Sequence, residues 1–294
     1  MEDLSQKRFV KVVVLTVCAL IAFAANSVLC RLALGAGAID AAGFTIVRLV
    51  SGALVLFLIL LLQVNNGQTT KGSWFSGFLL FLYAITFSYA YINLDTGTGA
   101  LILFGAVQIT MICLSIVAGN KLLPTEWFGV AIAFVGLVYL VLPGVAAPSA
   151  HGFMLMATAG IAWGVYTLKG RGSENPLADT TYNFLRTMPF VVILVFFTFR
   201  DFHYTAYGLA LAIVSGGVTS GLGYTIWYIA LRNLTATQAA VAQLSVPVIA
   251  ALGGVIFLAE SITLRLSISS LLILGGIFLV VMGRRFIPEL RFRK

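Results

Sequence analysis

The sequence predicts an all-α integral membrane protein: ten transmembrane helices, arranged as two five-helix repeats of inverted topology. Three observations carry that expectation. Of 294 residues, 60% are hydrophobic and only 10% charged, where a soluble domain carries about 25% charged residues, and mean hydropathy is +1.04. Ten apolar runs follow one another, at 10–34, 40–63, 72–94, 98–119, 124–143, 150–170, 178–199, 206–231, 236–258 and 263–284. Each reaches the length of about 20 apolar residues that a spanning helix needs. Finally, residue patterns of the first five runs recur in the last five at a nearly constant offset.

Taken in order, the first run follows Lys7, Arg8 and Lys11, a pattern shared with secretory signals. It continues to about Leu34 and takes part in the repeat, so it is expected as a retained span, with the polar pair Asn26 and Ser27 inside it. The second run holds Arg48 and the seventh holds Arg186. Each lies about two turns from a segment start, within reach of the interface by snorkelling. In the third, Tyr83, Phe87 and Tyr91 fall at four-residue steps on one helical face, as do Ser220, Tyr224 and Tyr228 in the eighth. Gln108 lies in the fourth run, Trp163 with Tyr166 in the sixth, and Gln243, Ser245 and Pro247 in the ninth. Trp74 and Trp127 open the third and fifth, where aromatic anchors belong. Gly216, Gly217, Gly221 and Gly223 suit close helix approach. Turn-rich breaks separate the runs, such as Asn65-Asn66-Gly67, Asp95-Thr96-Gly97, Pro143-Gly144, Pro148-Ser149 and Arg232-Asn233-Leu234-Thr235. A membrane β-barrel would instead show short alternating segments.

The net charge of +8 is read as membrane orientation rather than nucleic-acid binding, since no basic face interleaved with aromatics is visible. With the N-terminus in the cytoplasm, the basic residues of the termini and of four loops (Lys71, Lys121, Lys169 with Arg171, and Arg232) gather on that side, leaving Arg31, Arg200 and Arg265 opposite. That is the positive-inside bias, with both termini cytoplasmic. Cys18, Cys30 and Cys113 each sit in apolar surroundings without metal-ligand spacing and are expected as small core residues.

The repeat spans nearly the whole chain, dividing it at 1–147 and 148–294. Ile21, Ala22 and Arg31 match Ile161, Ala162 and Arg171 at an offset of 140; Arg48 matches Arg186 at 138; Tyr91, Ile92, Leu94 and Thr98 match Tyr228, Ile229, Leu231 and Thr235 at 137; Gly136 and Leu140 match Gly275 and Leu279 at 139. The offset of 137 also places Tyr83 on Ser220, Phe87 on Tyr224 and Gln108 on Ser245. Five helices per repeat force the halves to cross the membrane in opposite directions, a design tied to alternating access about a midplane site.

The ten-helix plan, the paired repeats and the run Leu258-Ala259-Glu260-Ser261-Ile262-Thr263 before a glycine-bearing last helix resemble the drug/metabolite transporter superfamily, EamA type. Within it the chain looks most like the bacterial inner-membrane exporters of aromatic amino acids and paraquat. The first half departs from the family pattern, with Asn120-Lys121 and Pro124-Thr125-Glu126 where a Gly-Glu and a Thr are commoner. The resemblance implies an inner-membrane exporter of small molecules.

The site expected from the residues is a midplane substrate path lined by Tyr83, Phe87, Gln108, Trp163, Tyr224, Tyr228, Gln243 and Ser245, with Pro247 as a hinge or kink. A Tyr or Trp buried in a bundle needs a partner for its polar tip, and an amide in lipid is disfavoured. Such groups serve either substrate or neighbouring helices. Tyr91 and Tyr228 also suit an interfacial belt. The ten acids fall at segment ends or in loops, so a midplane proton or sodium relay is not expected. No phosphate loop, nucleophile elbow or zinc spacing is present: neither an enzyme nor a metal or cofactor protein is expected. The expected substrates are small amphipathic metabolites, foremost aromatic and other apolar amino acids, with cationic drugs such as paraquat held by cation–π attraction. An exchanger of phosphorylated sugars or nucleotide-sugars, needing several midplane cations, is the alternative within transport. A non-transporting assembly or sensor protein is the alternative outside it. Lipid and a small-molecule substrate are the partners expected; oligomeric state is not legible.

Overall fold

Apolar runs of this length bury their backbone polar groups by forming helices, and among the described residues ten helices follow in order. The computed structural model describes residues 2–62, 72–119, 122–142, 147–234 and 236–286. The turns expected at Asn65-Asn66-Gly67 and Pro143-Gly144, and the basic residues Lys71, Lys121, Arg291, Arg293 and Lys294, lie outside them. We number the helices α1 (Glu2–Gly35), α2 (Ala41–Leu62), α3 (Trp74–Ala90), α4 (Thr96–Val117), α5 (Pro124–Val141) and α6 (Ala150–Gly170). Next come α7 (Pro176–Leu185 and Met188–Thr198), α8 (Ala206–Leu231), α9 (Ala236–Gln243 and Ser245–Leu258) and α10 (Leu264–Phe286). Eight of the ten are long and apolar enough to cross a membrane. The other two are α3, with 17 residues, and α6, with 21. The protein is an all-helical, multi-pass membrane protein. Large apolar side chains face outward along its length, among them Leu62, Val117, Phe197 and Leu271. Trp74 and Trp127 are exposed at helix starts, as expected.

Three helices depart from regular α geometry, each for an identifiable reason. Pro189 and Pro247 lack the N–H that would bond to the carbonyl four residues earlier. In both cases that residue, Leu185 or Gln243, is where the first segment of the helix ends. Beside the α9 break, the Ser245 hydroxyl donates to the Ala242 carbonyl at 2.7 Å. In α8, residues Ser215–Leu222 form a π-helical segment, a widening frequently found at functional sites.

Contacts between helices are closest where glycines stand. A Cβ on Gly216 would meet Ser51 Oγ and the Arg48 carbonyl, and one on Gly52 would meet Phe184 and the Gly216 carbonyl. The π segment therefore lies directly against the backbone of α2. Gly160 and Gly164 hold α6 against α4 through Leu103 and Val107. Gly129 and Gly276 place α5 and α10 backbone to backbone. The larger pairings are α3 and α4 on α6, α8 and α9 on α1, α2 on α7 and α8, α4 on α9, and α5 on α10.

Cys30 is buried as expected. Cys18 and Cys113 are exposed on the outer surface instead. In a bilayer the outer face of a helix is as suitable as the core for a small apolar side chain, so apolar surroundings in sequence could not separate the two positions.

Candidate functional site

Arg48 lies two turns into α2 and is 1% exposed. The snorkelling expected for it does not occur, because α3 and the π segment of α8 close over the guanidinium before it can reach either interface. Nε donates to Ser220 Oγ at 2.9 Å, and Nη2 donates to the hydroxyls of Tyr83 at 3.1 Å and Tyr224 at 2.9 Å. The charge also stands over the rings of Phe87 at 4.9 Å and Tyr83 at 5.2 Å. Arg186, its repeat counterpart, is half-buried, donates to the Tyr182 carbonyl and lies over Trp74, which fits the interfacial position expected for it.

Asn26 of α1 fixes the far side of this network. Its Oδ1 is the shared acceptor of Ser215 Oγ at 2.9 Å, Thr219 Oγ1 at 2.6 Å and Ser220 Oγ at 3.1 Å. On an α-helix, Ser220 would stand about 140° round from Ser215. The i→i+5 bonding of a π-helix turns it back to the same side, where it reaches both Asn26 and Arg48.

Rings pack around these polar groups. The Trp163 ring lies 4.5 Å from that of Tyr224, 5.1 Å from Tyr83, 5.3 Å from Tyr166 and 5.8 Å from Phe23. Phe87 adjoins Tyr83 at 5.3 Å, and Phe184 adjoins Tyr224 at 6.1 Å. Helices α1, α2, α3, α6, α7 and α8 therefore all contribute to one buried cluster. Tyr83, Phe87, Trp163 and Tyr224, four of the residues expected on the path, meet in it with Arg48 at their centre.

The other expected residues fall elsewhere. Tyr228 is buried and not interfacial, 6.2 Å from the Tyr166 ring. Tyr91 is also buried and donates to the Thr96 carbonyl; the interfacial-belt reading fails for both because α6 and α4 cover them. Gln108 and Gln243 are buried with their Nε2 atoms unpaired. Gln243, Trp227 and Thr167 line a cavity of about 30 Å³ beside Arg171, into the end of the bundle that carries the termini. Ser245 is part-exposed and bonded to Ala242. No hydrogen bond joins Gln108 or Ser245 to the Arg48 network.

The end away from the termini is held by bonds between the two halves of the chain. Asp40 accepts from the His203 N–H, Thr205 donates to the Ala38 carbonyl, and Ile39 bridges to Tyr204. Glu260, in the turn between α9 and α10, caps α4. Thr96 donates to it from its backbone N–H at 2.9 Å and from its hydroxyl at 3.0 Å. Arg31 lies 3.5 Å from both Glu260 and Asp95. Partial burial pushes the Glu260 carboxyl above its ordinary value, against the opposing pull of Thr96 and Arg31. The aromatic cluster is thus closed from this end.

Comparison with known proteins agrees with this architecture. Residues 150–282 match the EamA-like transporter family. An uncharacterized protein of Pseudomonas aeruginosa is 47% identical over 274 residues, covering 93% of this chain and 96% of its own. An uncharacterized transporter of Archaeoglobus fulgidus is 27% identical over 70% of this chain and 77% of its own, and one of Bacillus subtilis is 22% identical over 80% and 85%. A solved crystal structure superposes with a TM-score of 0.62 at 18% identity, over 91% of this chain and 98% of that one; that likeness concerns the fold alone. With ten apolar helices around a buried polar and aromatic site, this chain is a membrane transporter and not an enzyme, and it belongs to the EamA-like transporter family.

Proposed function

We propose that the chain exports small amphipathic metabolites, foremost aromatic and other apolar amino acids, across the bacterial inner membrane. The single observation that carries this reading is the buried cluster of Tyr83, Phe87, Trp163 and Tyr224 around Arg48 and Asn26. Large rings with polar tips hold an apolar side chain by stacking while leaving hydroxyls for its polar end. Movement is by alternating access. The helix pairings support an inverted repeat: adding five to each helix number turns α3–α6 into α8–α1 and α4–α6 into α9–α1, and leaves α5–α10, α4–α9 and α2–α7 in place. The family match over 150–282, close to one five-helix unit, supports the same reading.

Both termini are assigned to the cytoplasm by the positive-inside bias. Transport runs without strong ion coupling, since the acids among the described residues, such as Asp40, Glu126, Asp179 and Glu260, stand at helix ends or in loops. Cellular concentration then sets the direction. Cationic drugs are left out of this reading, because the faces of Tyr83 and Phe87 that would hold them already face the Arg48 charge. Phosphorylated sugars are disfavoured by a site with one buried guanidinium among the described residues.

Reconstituted vesicles test the assignment with a panel of labelled amino acids. Phenylalanine, tyrosine and tryptophan are expected to move, and Trp163→Ala and Tyr224→Ala are each expected to lower that flux about ten-fold or more, since about 1.4 kcal/mol of lost ring contact with substrate is already a factor of ten. Unchanged flux in both variants would overturn the site.

A further inference from the structure

We propose that Arg48 binds the carboxylate of the transported molecule. The substrate class is then aromatic carboxylates, for which an α-ammonium group is dispensable. This rests on the transport reading above and adds the group by which the substrate is recognised.

The argument begins with charge. A guanidinium withdrawn from water into a bundle interior is strongly unfavourable without an opposite charge. Among the described residues every partner of Arg48 is neutral: two tyrosine hydroxyls, one serine hydroxyl and two aromatic rings. The titratable groups beside it are Tyr224, Tyr83 and Cys30, with no carboxylate among them. Nε and Nη2 are engaged, while Nη1 is fully buried without a hydrogen-bond partner. That atom keeps its donors for an oxyanion, and the planar fork of arginine matches a carboxylate. Neighbouring helices have built a cationic donor site whose balancing charge none of the described residues supplies.

Stoichiometry selects the anion. One guanidinium balances one carboxylate, whereas a phosphate monoester would leave a second charge uncompensated. The same surroundings offer little to an ammonium. Asn26 Oδ1, a nearby side-chain acceptor, already takes three hydroxyls, and two of the ring faces hold Arg48 itself.

Toward the termini end a second group of buried donors has the same polarity. Trp227 and Gln243, whose Nε1 and Nε2 are buried and unpaired, line the 30 Å³ cavity beside Arg171 together with Thr167. An indole N–H can only donate, so this cavity suits a ligand that accepts. The Phe23 ring packs between Trp227, at 5.6 Å, and Tyr224 of the site, at 5.9 Å.

Two readouts test the proposal on the full-length protein: thermal stabilisation in detergent, and competition with labelled phenylalanine flux in vesicles. The probes are 3-phenylpropionate, which keeps the carboxylate, and phenethylamine, which keeps only the amine. Stabilisation and competition by 3-phenylpropionate are expected, with phenethylamine about ten-fold weaker or worse, the effect of losing a charge-assisted hydrogen bond. Arg48→Gln is expected to abolish that preference and Arg48→Lys to retain part of it. Equal or stronger action of phenethylamine on the wild-type protein, or stabilisation by neither probe, overturns the proposal without recourse to a variant that fails to fold. Stabilisation by 3-phenylpropionate alone, with no phenylalanine flux, supports the Arg48 site and removes the amino-acid transport reading; undiminished flux with an unchanged order of probes in Arg48→Gln removes the Arg48 site and leaves transport standing.

Discussion

Asn26 shows how one side chain can set the shape of a site. Its carbonyl oxygen is the common acceptor for Ser215, Thr219 and Ser220, and Ser220 in turn accepts from Arg48. Asn26→Ala would leave buried hydroxyls without their acceptor, and an unsatisfied buried polar group costs about 1–3 kcal/mol. A loss of that size is expected in reversible unfolding of the detergent-solubilised protein, together with weaker substrate stabilisation; an unchanged unfolding midpoint would show that the hydroxyls find other partners. Legibility at this scale followed chemistry. Tyr83, Trp163 and Tyr224 could be picked from the sequence because a polar tip in mid-span must point into the bundle. Arg48 could not, since its distance from a helix start equally allows a snorkelled position. What buries it is the approach of α8 at Gly52 and Gly216, a tertiary contact. Its one local trace is a glycine four residues after the arginine, on the same face. Gln108 and Ser245 were chosen by the same polar-in-span argument as the tyrosines, which finds inward-facing groups without saying which of them converge.

At the scale of elements, the broken helices carry the polar work. The α9 interruption was legible because Pro247 removes a specific donor; the matching interruption of α7 at Pro189 follows the same rule. The π segment of α8 left no mark in composition, since one extra residue per turn preserves an apolar, glycine-rich run. The turn holding Glu260 joins three elements by capping α4 and facing Arg31. Burial raises its carboxyl above the ordinary glutamate value, so the folded protein takes up this proton more readily than the unfolded chain does. Stability linked to Glu260 is therefore gained as pH falls through its raised value, down to the unfolded value of about 4.3, and is absent well above it. The wild-type melting temperature, compared between neutral and mildly acidic buffer, is expected to rise relative to that of Glu260→Gln. Parallel pH profiles for the two proteins would remove Glu260 as the source.

For the whole molecule, the number, order and approximate bounds of the ten helices were legible because lipid imposes a length and an apolarity on each span. The inner arrangement was less so, because the same apolar alphabet serves contacts with lipid and contacts with protein: Cys18 and Cys113 face outward where Cys30 faces in. The polar and aromatic site lies where both halves of the chain meet, closed toward the end away from the termini by Arg31, Glu260 and the Asp40–His203 contact. On the proposed reading, with no midplane relay among the described residues, substrate exchanges without an ion gradient. Counterflow states that most directly. Vesicles preloaded with unlabelled phenylalanine, at equal pH and salt inside and out, receive a trace of labelled phenylalanine. The expected result is transient accumulation of label in wild-type vesicles, sharply reduced in Trp163→Ala. Absence of accumulation in wild-type vesicles, or accumulation only when a proton or sodium gradient is imposed, would contradict it.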